Sequence, residues 1–168
     1  GARFMARLLS YFIGENDTNI HVLVATSGDT GSAVANGFLG VKGITVHVLY
    51  PKGKVSKMQE KQFATLGRNI NAIEVEGNFD DCQAMVKASF VAEPFLPDGR
   101  ALVAVNSINW ARIMAQIVYY FYAALALGAP ERTVNFSVPT GNFGDIFAGY
   151  LARSMGLPID QAAPFRTY

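Results

Sequence analysis

Two hydrophobic periods alternate along this chain, and that alternation restricts its fold more than any other feature. Phe4, Leu8, Leu9 and Phe12 recur at helical spacing and predict a first helix. Residues 21–25 (HVLVA) form a short valine-rich run, the pattern of a strand buried on both faces. A turn over 26–31 leads to a predicted helix over 32–39, closed by Gly40. Residues 44–50 read as a strand stopped by Pro51, and 56–66 as a helix capped by Ser56 with Gly67 past its end. Residues 70–75 read as a strand and 80–91 as a helix, with Asp80 and Asp81 in its positive first turn. The alternation resumes with a strand over 102–105, a helix over 110–127, a strand over 134–138 and a helix over 145–155. Strands that alternate with helices pair in parallel through right-handed crossovers, so the predicted class is α/β, with parallel sheets flanked by helices.

Between the two runs of this alternation, residues 93–100 hold Pro94, Pro97 and Gly99. This is the expected lobe boundary, with a smaller α/β lobe over 1–100 and part of a larger lobe over 101–168. Hydrophobic residues make up 51% of the chain and charged residues 16%, against about 25% charged in an ordinary soluble domain. So much apolar sequence predicts that the fold is incomplete and exposes core surface, through which the chain would self-associate. The helix over 113–127 (IMAQIVYYFYAALAL) is apolar nearly all round and needs cover on every side. It is shorter than the ~20 residues of a membrane span and contains Gln116, so no membrane partner is expected. A net charge of +1 gives no electrostatic footprint for nucleic acid. The one cysteine, Cys82, excludes an internal disulfide and a thiolate metal cluster, so no metal site is expected and the cytoplasm is the expected compartment. The chain begins at Gly1 rather than Met, as an internal fragment would.

In open parallel sheets, ligands sit at the carboxyl ends of strands. Three strand-to-helix turns here are rich in glycine and polar residues. In Ser27-Gly28-Asp29-Thr30-Gly31-Ser32, the glycines permit close backbone approach, and the hydroxyls and helix-start amides suit an anion. The same residues also read as an N-cap turn with Asp29 or Thr30 as cap. Residues 139–145 (PTGNFGD) could present successive amides as a concave phosphate nest, or could be a structural turn. In 106–112 (NSINWAR), amides, a hydroxyl and the Arg112 guanidinium converge, either on a phosphate or carboxylate or as a capped helix with Arg112 reaching outward. His21 and His47 read as satisfied strand residues, Lys52, Lys54 and Lys57 as a solvated turn, Tyr119, Tyr120 and Tyr122 as helix packing, and Cys82 as a small buried residue. Neither the dinucleotide fingerprint nor the nucleoside-triphosphate loop is present.

The strings LVATSGDTG (23–31), YPKGKV (50–55), QEKQ (59–62), GNFDDCQ (77–83), NSIN (106–109) and VPTGNFGD (138–145) together resemble the threonine synthases, over residues 1 to about 159. That family has the fold-type-II, tryptophan synthase β-like architecture. It uses pyridoxal 5'-phosphate to convert O-phosphohomoserine and water to threonine and phosphate. The resemblance implies that Gly141, Asn142, Phe143 and Gly144 bind the cofactor phosphate and that Asp29 faces the cofactor ring. It implies that Ser27, Gly28 and Thr30 hold the substrate carboxylate, and that Asn106, Ser107, Asn109 and Arg112 receive the substrate phosphate. The family's Schiff-base lysine is expected in a segment like F-K-D-F-G ahead of Gly1, so these residues include no catalytic lysine. Residues 163–168 (APFRTY) depart from the family's T-N-x-N-D continuation. A sibling such as a serine/threonine dehydratase or a cysteine synthase would need no second phosphate site. A non-catalytic remnant of the fold would keep the architecture without the reaction.

Overall fold

The structure, a computed structural model, describes residues 1–13, 19–92, 97, 99–106, 109–139 and 143–165. These form two compact units, one over residues 2–106 and one of Gly1 with residues 107–168.

The first unit runs α1 (Ala2–Ile13), β1 (Asn19–Ala25), α2 (Asp29–Phe38), β2 (Ile44–Pro51), α3 (Lys57–Ala64), β3 (Ile70–Val75), α4 (Phe79–Val91) and β4 (Arg100–Ala104). Its four strands pair in parallel in the order β3-β2-β1-β4. The two central strands carry Val22, Val24, Val46 and Val48, all essentially inaccessible, and register sets Val22 beside Val46 and Val24 beside Val48. The order dictates where the helices lie. The crossovers β1-α2-β2 and β2-α3-β3 step in one direction, so right-handed connections place α2 and α3 on one face. The crossover β3-α4-β4 steps back past β2 and β1, which puts α4 on the other face. Accordingly Cys82 and Val86 of α4 pack with Leu49 and Leu23, the alternate side of the strands. The chain therefore reverses direction between β1 and β4, and their carboxyl ends flank a topological switch point, where open α/β sheets bind ligands.

The second unit contains α5 (Trp110–Ala126), β5 (Val134–Pro139), α6 (Gly144–Ser154) and β6 (Ile159–Phe165). The strands β5 and β6 form a parallel pair with a register shift between Val134 and Phe136. Its core joins Ile113, Tyr120, Ala124, Val134, Ala148 and Ala152. Gly149 lets α6 lie against α5, because a Cβ there would come within 2.6 Å of the Tyr120 ring.

Several expectations change. The strand over 100–104 pairs with β1, so it joins the first unit, and the units divide at 106/107 rather than at 100. Helix α2 starts at Asp29, not Ser32, because a residue outside the helix caps it, as described below. Helix α3 ends at Ala64 rather than Leu66. Residues 159–165 form β6, a strand not expected from the sequence, and residues 163–165 of it belong to the stretch read as a divergent tail. Helix α5 buries only Ile113, Tyr120 and Ala124; Val118 is 62% exposed and Tyr122 78%. Tyr119 and Tyr122 therefore lie on the surface, and Tyr120 alone of the three packs in the core. No described helix is long and apolar enough to cross a membrane.

Candidate functional site

The turn after β1 is organised from beneath by Thr26, a residue with no predicted role. Thr26 is buried, and its hydroxyl oxygen accepts the Gly28 amide at 2.9 Å and the Gly31 amide at 2.8 Å. The same hydroxyl donates to the Gly28 carbonyl at 3.0 Å. Gly28 is the N-cap of α2 and has no side chain with which to cap it. Thr26 takes over that function for the third amide of the helix, in the way an N-cap hydroxyl normally does. This removes Asp29 and Thr30 from the capping role that the sequence left open to them. The helix-start amides of Asp29 and Thr30 keep no intrahelical partner, as at any helix N-terminus. Both glycines are required: a Cβ on Gly31 would lie 2.5 Å from the Thr26 methyl, and Gly28 adopts a φ of 155°. Ser27 and Asp29 are exposed and Thr30 is half-buried, so this turn shows its polar groups at the switch point.

Helix α3 holds that turn from the side. Gln59 Nε2 donates to Asp29 Oδ1 at 2.8 Å, and Ser56 Oγ donates to Gln59 Oε1 at 2.9 Å. Ser32 Oγ reaches the Gln59 carbonyl at 3.5 Å, and Asn36 Nδ2 reaches the Gln62 carbonyl at 3.1 Å. Gln59 belongs to the QEKQ string, in which every residue is polar or charged, so sequence alone marks it as a solvated residue.

At the end of β4, the Val105 amide donates to the Leu23 carbonyl at 3.0 Å, which sets Asn106 beside the end of β1. Ser107 lies outside the described residues. Asn109 caps α5, its Oδ1 accepting the Ala111 amide at 3.0 Å. The outward-reaching alternative for Arg112 does not hold. Its Nε and one terminal nitrogen are buried and make no hydrogen bond among the described residues. Burial depresses its pKa from the usual guanidinium value, and the Tyr119 phenol opposes this. A buried guanidinium without a partner is costly, and the cost is relieved when an anion binds it.

At the turn after β5, Gly141 and Asn142 lie outside the described residues. Phe143 sits in the left-handed region at φ 56° and precedes the first turn of α6, which begins at buried Gly144. Left-handed backbone just ahead of a helix start is a component of amide nests. Asp145 follows. Its Oδ1 is buried and unbonded among the described residues, and burial raises its pKa. The Tyr120 hydroxyl donates to the Asp145 carbonyl at 3.0 Å, and burial followed by the Asp145 charge pushes the Tyr120 phenol up to about 12.

His21, His47, Lys52 and Cys82 have plain structural settings. His21 Nδ1 and His47 Nε2 lie 3.0 Å apart, with stacked rings, and burial lowers the pKa of both. Lys52 pairs with Glu76 on the surface, and Cys82 is buried with its thiol pKa raised by burial. No cluster of metal-ligating side chains occurs among the described residues.

Parallel sheets flanked by helices, with polar, glycine-rich turns at the carboxyl ends of strands, are the architecture of the fold-type-II, tryptophan synthase β-like proteins. No family model matches the chain. A threonine synthase of Pseudomonas aeruginosa is 58% identical over 160 residues, covering 95% of this chain and 34% of that protein. The structure of a pyridoxal-phosphate-bound threonine synthase from Brucella melitensis superposes with a TM-score of 0.85 at 49% identity, over 97% of this chain and 35% of that one. The Escherichia coli threonine synthase structure gives a TM-score of 0.83 at 47% identity, over 96% of this chain and 37% of that one. The chain is a homologue of the threonine synthases and spans about a third of the length of the relatives it matches.

Proposed function

We propose that this chain carries the ligand-binding turns of a threonine synthase, a pyridoxal 5'-phosphate enzyme that converts O-phosphohomoserine and water to threonine and phosphate. The observation that carries this reading is Arg112, whose buried Nε and terminal nitrogen have no partner among the described residues. A substrate with its own phosphate supplies the missing anion. A dehydratase or cysteine synthase substrate brings no second phosphate and would leave that guanidinium uncompensated.

The remaining assignments follow the resemblance, with local geometry in support. When bound, the cofactor supplies an electron sink for the carbanion chemistry of the amino-acid substrate. Phe143 and Gly144, with Gly141 and Asn142, would hold its phosphate; the left-handed Phe143 and the start of α6 suit an anion. Asp29 would face its ring. Ser27, Gly28 and Thr30 would hold the substrate carboxylate against the helix-start amides, which Thr26 leaves open by spending its own bonds on Gly28 and Gly31. Asn106, Ser107, Asn109 and Arg112 would receive the substrate phosphate. Asn109 fixes the start of α5 and so the height at which Arg112, one turn on, presents its guanidinium. Cys82 is the one cysteine, which suits a reducing compartment and so the cytoplasm.

The test is Arg112→Ala in the full-length protein. Losing a charged hydrogen-bonding partner costs about 1.5–3 kcal/mol. We therefore expect kcat/KM for O-phosphohomoserine to fall by roughly 10- to 150-fold, with cofactor retention near wild type. Equal loss of substrate use and cofactor binding would refute the separation of the two anion sites.

A further inference from the structure

The contacts between α3 and the turn after β1 extend beyond what the proposed function uses, and this inference rests on that reading of Asp29. A carboxylate only accepts hydrogen bonds, so something must donate to it if its direction is to be fixed. Gln59 Nε2 does so at 2.8 Å on Oδ1, leaving Oδ2 unengaged among the described residues. An amide can present either end. Here Ser56 Oγ donates to Gln59 Oε1 at 2.9 Å, which commits the oxygen to Ser56 and the nitrogen to Asp29. Ser56 is itself held as the N-cap of α3, its oxygen accepting the Gln59 backbone amide at 3.3 Å. The chain of donors thus runs from Ser56 through Gln59 to Asp29.

Gln59 also covers Gly28. A Cβ on Gly28 would fall 2.6 Å from Gln59 Nε2 and 2.8 Å from its Cδ. The same side chain therefore orients Asp29 and takes the space that a larger residue at position 28 would need. The donor is neutral. A lysine or arginine in its place would cancel the carboxylate charge, whereas an amide fixes the carboxylate and leaves that charge in place. We infer that Gln59 is a positioning residue of this site: set by Ser56, it fixes one oxygen of Asp29 so that the other is presented, still charged, to whatever binds at the switch point.

Two substitutions in the full-length protein test this. Gln59→Met keeps the length and removes the donor. We expect kcat to fall about tenfold with KM for O-phosphohomoserine within about twofold, since Asp29 is assigned to the cofactor side. Gln59→Glu sets an acceptor against an acceptor at neutral pH. A proton shared between the introduced carboxyl and Asp29 restores the donor as pH falls. Its rate relative to wild type should therefore recover on acidification, which Gln59→Met cannot do. The thermal midpoints of both variants should stay near wild type, because the contact is exposed. Carboxyl-carbon NMR of Gln59→Glu should show the two side chains titrating together, with or without cofactor. If wild-type protein fails to turn over O-phosphohomoserine, the functional reading fails, while the NMR titration still decides the contact. Uncoupled titration of the two carboxyls overturns the inference. So does a Gln59→Met protein with wild-type kcat, or one whose rate loss only follows its loss of stability.

Discussion

The two units treat their polar groups in opposite ways. In the first, no buried side-chain polar atom among the described residues lacks a partner. Thr26 spends its hydroxyl on two amides and a carbonyl. Asn69 bonds the Phe38 and Ile44 carbonyls and the Gly40 amide, tying the end of α2 to the starts of β2 and β3. In the second unit lie the buried polar atoms without partners among the described residues, two on Arg112 and one on Asp145, and a helix whose apolar side chains stand in solvent. Polar groups in native interiors are nearly always bonded, and exposed apolar patches generally mark an interaction surface. In its polar groups the first unit reads as a self-satisfied α/β layer structure and the second as a surface built to receive other groups. Satisfied polar groups rigidify a scaffold, whereas unsatisfied ones indicate where a ligand or a neighbouring segment belongs.

The largest effect that could break this comparison is self-association. Val118, Tyr119, Tyr122 and Leu125 of α5 are more than half exposed. We expect the 168-residue chain alone to bind a hydrophobic dye and to run as associated species in sedimentation. The longer protein should do neither. A monodisperse chain without dye binding would show that α5 needs no further cover.

A smaller and more local effect tests the closed unit. Asn69→Ala strands the Gly40 amide and removes donors from two carbonyls, at about 1–3 kcal/mol for groups left unsatisfied. The urea midpoint should fall accordingly, with an unchanged slope. A change below about 0.5 kcal/mol would mean that water replaces the clamp.

Much of the alternation of strands and helices is legible in the sequence, and the failures have identifiable causes. The strand β3 was bounded correctly because its apolar residues lie between Gly67 and Gly77, both turn formers. The start of α2 was misplaced because Gly28 and Gly31 look like breakers, whereas the cap comes from Thr26, three positions ahead of the first helical residue. The strand β6 was missed because IDQAAPF has little β-branched sequence and a proline. Gln59 was invisible as a positioning residue because its role depends on α3 lying beside the turn after β1. The direction of Arg112 was undecidable because an all-apolar helix gives no polar face by which to orient it.

The smallest expected effect concerns the orphaned carboxyl of the second unit. Burial raises the pKa of Asp145, so the folded state binds its proton more tightly than the unfolded state does. The sign follows from linkage: any stability tied to that proton is present below the unfolded-state pKa and is lost as pH rises through the folded one. At neutral pH the charged carboxyl is therefore a net burden on the folded unit, softened by solvent and by the positive start of α6. Asp145→Asn keeps the shape and removes the charge. We expect the variant to be slightly more stable than wild type at pH 7 and no different at pH 3, where both side chains are neutral. Urea midpoints of the full-length protein at the two pH values measure this. A variant that loses stability at pH 7 would show that the Asp145 carboxylate has a partner in the longer protein. That would place it with the satisfied groups of the first unit and remove one support for reading the second unit as the receiving surface.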